Sequence, residues 1–223
     1  MSAKGKIPHR IDQDFGLIET LLWTPKSGYW LIEEHLARLT TSAKTLGFIC
    51  PLAMISTALA DVVQTAATTQ RIRLVLHATG RIETTALAFA ATPPETFWRT
   101  CFAHERFKSS QKLLRHKTTL RTLYESELAE AQARFGVDEV IFLNERNEIC
   151  EGARCNIFVK RDNILLTPAL ACGLLPGTLR ANLLAKGRAR EAILHPHDLD
   201  GAEFYMGNAL RGLIRATLDE QAL

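Results

Sequence analysis

Between Gly136 and Arg180, short apolar runs and polar turns alternate at the spacing of short strands, and the stretch closes on a glycine placed to start a helix. Val140 to Leu143, Ile157 to Val159 and Ile164 to Leu166 are the predicted strands. They are separated by Glu145-Arg146-Asn147-Glu148 and by Arg161-Asp162-Asn163. Gly173-Leu174-Leu175-Pro176-Gly177-Thr178-Leu179-Arg180 then leads into a helix from Thr178 to about Lys186, stopped at Gly187. This order points to an α/β (α+β) fold.

Upstream, Leu36, Leu39, Ala43 and Leu46 recur at helical spacing, which predicts an amphipathic helix over 33–46 ending at Gly47. A second helix is expected over 52–68. The period-two stretch Arg71 to His77 then pairs across a turn at Gly80 with a strand over 82–90. Pro93 and Pro94 precede a strand-like Trp98 to Phe107, and a helix is expected over 119–135. After Phe204 to Met206, a short strand, Gly207-Asn208 reads as the start of a last helix. The domains expected are 1–92, a small α/β domain, and 112–223, a C-terminal domain, with 93–111 connecting them.

With 223 residues, 47% of them hydrophobic, the chain has the composition of an ordinary globular protein. The +3 formal charge comes from 27 basic and 24 acidic residues spread along the chain, so no nucleic-acid or membrane partner is expected. Five cysteines, none in two-residue-spaced pairs, read as reduced thiols. Met1 to Arg10 resembles neither a signal peptide nor an anchor, and a cytoplasmic location is the expectation.

Several residues have the chemistry of a site. Lys117 lies among Arg115, His116 and Arg121, whose charges depress an amine's pKa and favour the neutral, nucleophilic form; alone, it also fits a surface lysine. Glu151, just after a strand, could face a cationic ring nitrogen or be a turn carboxylate, with Asn156 beginning the next strand. Gly177, Thr178 and Leu179 open a helix whose free amides suit a phosphate, and Gly207-Asn208-Ala209 could add donors; both also fit plain helix caps. Arg38 emerges beside the buried stripe of its helix, and arginine grips phosphate bidentately. His195-Pro196-His197-Asp198 lacks further ligands at a characteristic spacing, so no metal is assigned.

These segments follow the order of one family. From Phe15-Gly16-Leu17-Ile18-Glu19-Thr20 and His35-Leu36-Ala37-Arg38-Leu39 to Gly207-Asn208-Ala209-Leu210-Arg211-Gly212, the chain resembles the fold-type IV, class IV aminotransferase-like, pyridoxal-phosphate enzymes. The resemblance implies the two-domain D-amino acid aminotransferase-like fold with pyridoxal 5'-phosphate in the interdomain cleft, and a homodimer. It implies that Lys117 binds the cofactor covalently and Glu151 contacts the pyridine nitrogen. Arg38, the amides of Thr178 and Leu179, and the Asn208 region would hold the phosphate, with Leu175 packing on the ring. Lys117-Thr118-Thr119-x-Arg121-x-x-Tyr124 is most similar to the 4-amino-4-deoxychorismate lyases. Branched-chain aminotransferases usually carry a tyrosine five residues after the lysine, where this chain has Thr122.

The expected activity is therefore conversion of 4-amino-4-deoxychorismate to 4-aminobenzoate and pyruvate, alongside an aminodeoxychorismate synthase. Arg121, Tyr124 and Arg211 are candidate contacts for the anionic, amino-bearing substrate. The alternatives are a class IV aminotransferase acting on a branched-chain or D-amino acid, and, more distantly, a non-catalytic relative that binds the cofactor or a protein partner.

Overall fold

The computed structural model describes residues 15–219, which divide into two compact units: 15–92 with 116–120, and 93–115 with 121–219. The N-terminal stretch 1–10, expected to be neither signal nor anchor, lies outside the described residues. No helix among those described is long and apolar enough to cross a membrane.

In the first unit, β1 (Gly16–Thr24), β2 (Gly28–Tyr29), α1 (Ile32–Leu46), α2 (Leu52–Asp61), β3 (Gln70–His77) and β4 (Ile82–Ala88) follow in order. The strands form an antiparallel sheet in the order β2-β1-β3-β4. Along β3 the side chains of Gln70, Ile72, Leu74 and Leu76 are buried and those between them are more exposed, the alternation expected where one face meets a core. Helix α1 buries His35, Leu39, Ser42 and Ala43, positions i, i+4, i+7 and i+8 of one stripe. Gly47, at a left-handed φ of 75°, ends it by donating its N–H to Ala43 O. Leu39, Ala43, Ile55 and Leu59 meet Leu17, Leu21 and Ile72 in one core. Burying each large aliphatic side chain contributes about 1.5–3 kcal/mol. Helix α2 stops at Asp61, short of the expected end, and β1 spans nine residues.

Five residues, 116–120, leave the second unit to join this sheet. Lys117 O accepts a hydrogen bond from Ile18 N at 2.8 Å, Thr118 stands opposite Leu17, and Thr119 N donates to Gly16 O at 2.9 Å. Gly16 N in turn donates to Thr119 Oγ1 at 3.0 Å. The next helix starts at Thr122 and not at Thr119, after the residues that lie along β1.

The second unit holds β5 (Phe97–Phe107), α3 (Thr122–Phe135), β6 (Glu139–Asn144), β7 (Ile149–Gly152), β8 (Asn156–Arg161), β9 (Ile164–Pro168), α4 (Thr178–Ala185), β10 (Ala189–Ala192), β11 (Phe204–Asn208) and β12 (Gly212–Leu218). Its eight described strands run in the order β10-β9-β8-β11-β12-β5-β6-β7. Parallel pairs join β5 to β6 and to β12, and β9 to β10, while the remaining pairs are antiparallel. All six residues of β6 are buried, as expected of a strand covered on both faces. The stretch 93–111, read from sequence as a connection, carries β5 within this sheet.

Two sequence expectations fail here. Glu151, expected just after a strand, lies within one, β7. The segment after Gly207-Asn208 is a hairpin, not a helix: Asn208 Oδ1 accepts hydrogen bonds from Leu210 N (3.0 Å) and Arg211 N (2.9 Å), Gly212 takes φ 75°, and β12 returns along β11. Leu210, Leu213, Ile214, Thr217 and Leu218 have helical spacing, but pairing with β11 and β5 buries Ile214 and Ala216 at period two.

Candidate active site

In the second unit, the residues predicted to serve a cofactor gather around β7 and the start of α4. Glu151 is 5% exposed, and both of its carboxylate oxygens have donors: Tyr124 Oη donates to Oε1 at 3.0 Å and Leu175 N donates to Oε2 at 3.1 Å. Asn156, at the head of β8, donates from Nδ2 to Leu175 O at 3.0 Å, so both backbone polar groups of Leu175 are held by these two residues. Three residues on, Thr178 and Leu179 begin α4, both buried, behind the extended N-cap Gly177. Gly177 has an ordinary φ of −64°, so the need for glycine is steric: a Cβ there would lie 1.8 Å from Asn156 Oδ1. At Gly207 a Cβ would meet Leu179 Cδ2 at 3.2 Å and Phe158 Cε2 at 2.9 Å, which sets the end of β11 against the first turn of α4.

The strand that carries Glu151 is clamped. Gly152 N donates to Cys155 O at 2.7 Å, and Ala153 N donates to the buried Glu139 Oε1 at 3.0 Å. Arg121, at the N-cap of α3, donates from Nη2 to Ala153 O, and its guanidinium carbon stands 4.7 Å from the centroid of the Tyr124 ring. Tyr124 packs edge-on against Phe142 and Phe107, which are themselves stacked at 4.5 Å. Burial, reinforced by the Glu151 charge, raises the Tyr124 pKa well above the ordinary 10, so the phenol stays protonated and donates.

Of the residues expected to meet substrate, Tyr124 is therefore buried on Glu151 and Arg121 is engaged by Ala153. Arg211 is exposed on the hairpin turn, its N–H on Asn208. The Asn208 side chain serves that same turn, and its Nδ2 also donates to Arg154 O at 3.2 Å. His195 is tied to Asn147 O at 3.0 Å and stacks on His197.

In the first unit, Lys117 is fixed through its backbone by β1, as described above. Arg38 on α1 grips Glu19 of β1 with Nε on Oε1 at 2.9 Å and Nη2 on Oε2 at 2.5 Å, and His35 Nδ1 lies 2.6 Å from Oε2. Burial raises the Glu19 pKa, but the Arg38 charge and the hydrogen bonds from His35 and Arg38 outweigh it and bring it down to about 2. Sequence reasoning placed Arg38 in the site but gave Glu19 and His35 no role, although both stand within the motifs that carried the resemblance.

Residues 16–218 match the Amino-transferase class IV family, and the chain belongs to it. The family's cofactor is pyridoxal 5'-phosphate. Over 92% of this chain and 100% of the other, it is 43% identical to the structure described as "Putative amino-acid aminotransferase" from Mesorhizobium loti, with a TM-score of 0.87. Over 92% of this chain and 90% of the relative, it is 26% identical to the Schizosaccharomyces pombe protein named "Putative aminodeoxychorismate lyase". The same fold recurs in "A hypothetical aminotransferase from Mycobacterium tuberculosis, PLP-bound form", at 24% identity over 93% and 82% of the two chains, with a TM-score of 0.76.

The second unit's donor set fits that cofactor. A buried carboxylate suits a protonated pyridine nitrogen, and the start of an eight-residue helix behind a glycine suits a phosphate.

Proposed function

We propose that this chain is a pyridoxal-phosphate lyase that converts 4-amino-4-deoxychorismate to 4-aminobenzoate and pyruvate, a step toward folate. The observation that carries the choice of reaction is at α3. Thr122, where branched-chain aminotransferases usually place a tyrosine, is exposed, and the tyrosine of the lyase-like motif, Tyr124, sits on Glu151 instead. The fission-yeast relative named for this lyase adds support, because it matches nearly end to end.

When bound, the cofactor supplies an electron sink for the pair of electrons left on the amine-bearing carbon. Lys117 would hold it covalently at rest and, when free, would take the proton from that carbon. Glu151, its anionic form stabilised by donation from Tyr124 and Leu175 N, would keep the proton on the ring nitrogen. The amides of Thr178 and Leu179, with the positive end of the α4 dipole, would bind the phosphate, and Leu175 would pack on the ring. Cleavage of the carbon–oxygen bond would release enolpyruvate, whose methylene carbon takes up the proton to give pyruvate, and the aromatic ring left behind makes the elimination effectively irreversible.

A second reading, an amino-acid aminotransferase, is favoured by the 43% identical Mesorhizobium structure. Incubation with 4-amino-4-deoxychorismate separates the two. The lyase releases 4-aminobenzoate and pyruvate in equal amounts with no keto acid added, whereas an aminotransferase consumes an amino acid only when a keto acid is supplied.

A further inference from the structure

Tyr124 is the unusual member of the site, because it is buried, stays protonated and spends its hydroxyl on the carboxylate assigned to the ring nitrogen. A tyrosine kept for packing alone needs no acceptor of that kind. Phe107 and Phe142 already form a stacked pair, and phenylalanine at 124 would complete the same edge-on cluster. The polar contact is elaborated further by Arg121, which covers the Tyr124 ring while fixing Ala153 O, two residues after Glu151. Hydroxyl, carboxylate, guanidinium and the Ala153 carbonyl just past β7 thus form one connected network, closed on the far side by Leu175 N.

We propose that Tyr124, held in place by Arg121, is a positioning residue that sets the proton affinity of Glu151 and through it the protonation of the cofactor's ring nitrogen. The inference rests on the assignment of Glu151 to that nitrogen made above. A buried carboxylate facing a pyridine has two ways to hold one proton: a charged pair, with the proton on the ring, or a neutral pair, with the proton on the carboxyl. Burial favours the neutral pair, because it removes two charges from a medium that solvates them poorly. Each hydrogen bond donated to the carboxylate favours the charged pair, since a neutral carboxyl accepts more weakly. Of the donors to Glu151 described above, Tyr124 is a side chain that a single substitution removes without disturbing the backbone.

The substitution is Tyr124→Phe, which keeps the ring and its contacts. With ¹⁵N-labelled cofactor bound, the wild-type ring nitrogen should show the protonated shift across the neutral range, and Tyr124→Phe should move it toward the unprotonated value. The pH at which the bound cofactor's absorbance titrates should move with it. Loss of one hydrogen bond to a charged group corresponds to a fall in kcat of about tenfold to a hundredfold, with little change in KM. An unchanged ¹⁵N shift in Tyr124→Phe, whatever its thermal stability, overturns the proposal and leaves a packing role. Glu151→Gln separates this from failure of the underlying assignment: if that variant also leaves the ring nitrogen signal unmoved, Glu151 does not face the ring, and both readings fall.

Discussion

At the residue scale, the site depends on how little room there is around Asn156. Its amide carries Leu175 on Nδ2 and leaves Oδ1 against the bare α-carbon of Gly177. Gly177→Ala should therefore push these groups apart, costing about 1–3 kcal/mol of stability by overpacking and weakening cofactor affinity, measurable by fluorescence titration. In a double-mutant cycle with Asn156→Ala, which also removes the bond to Leu175 O, the two losses should be less than additive, and full additivity would contradict the steric account. That Gly177 starts a helix was legible in the sequence. That its missing side chain accommodates an asparagine 21 positions earlier was not, because only the fold brings them together. Glu151 shows the same divide: its residue type and its neighbours suggested a ring-nitrogen partner, but the hydrogen bonds that make it a buried, doubly satisfied carboxylate come from α3 and from the loop before α4.

At the scale of elements, two devices hold the pieces that position the site. The first joins α1 to β1 through Glu19, Arg38 and His35. The folded pKa of Glu19, about 2, lies below its ordinary 4.5. Its contribution to stability is therefore fully present above pH 4.5 and is lost as pH falls toward 2, amounting to about 3 kcal/mol. Acid unfolding followed by circular dichroism should show this, and in Glu19→Gln the slope in that window should flatten. The same variant should be destabilised at neutral pH by about 3–5 kcal/mol, because the Arg38 guanidinium would lose the carboxylate it grips in a nearly buried position.

The second device is the β11–β12 hairpin, whose turn is built on the Asn208 side chain. Asn208→Ala should lower stability by about 1–3 kcal/mol, read as a shift in the urea midpoint. This hairpin was misread from sequence because its apolar spacing is helical, and only the neighbouring strands choose period two. The amphipathic stripe of α1 and the alternation of β3 were legible because each is written within one element. The parallel edge strand β10, Ala-Arg-Glu-Ala, carries no local signal and is set by pairing with β9.

For the whole molecule, family membership was legible because many separate motifs follow the family's order along nearly the whole chain. The path of the chain was less legible: residues 116–120 return to the first unit to lie along β1, whereas sequence reading kept 112–223 together. A five-residue excursion of mixed polarity has no periodicity to reveal it. Its consequence for the chemistry is that Lys117 is anchored by strand pairing, with its backbone fixed by Ile18. The most direct measurement is the visible absorbance of the purified protein with added pyridoxal 5'-phosphate, followed on the same sample by assay of 4-aminobenzoate and pyruvate from 4-amino-4-deoxychorismate without any keto acid. The account predicts a band of covalently bound cofactor that Lys117→Ala abolishes, and both products in equal amounts from the wild type. A band that survives Lys117→Ala, or its absence from the wild type, would contradict it.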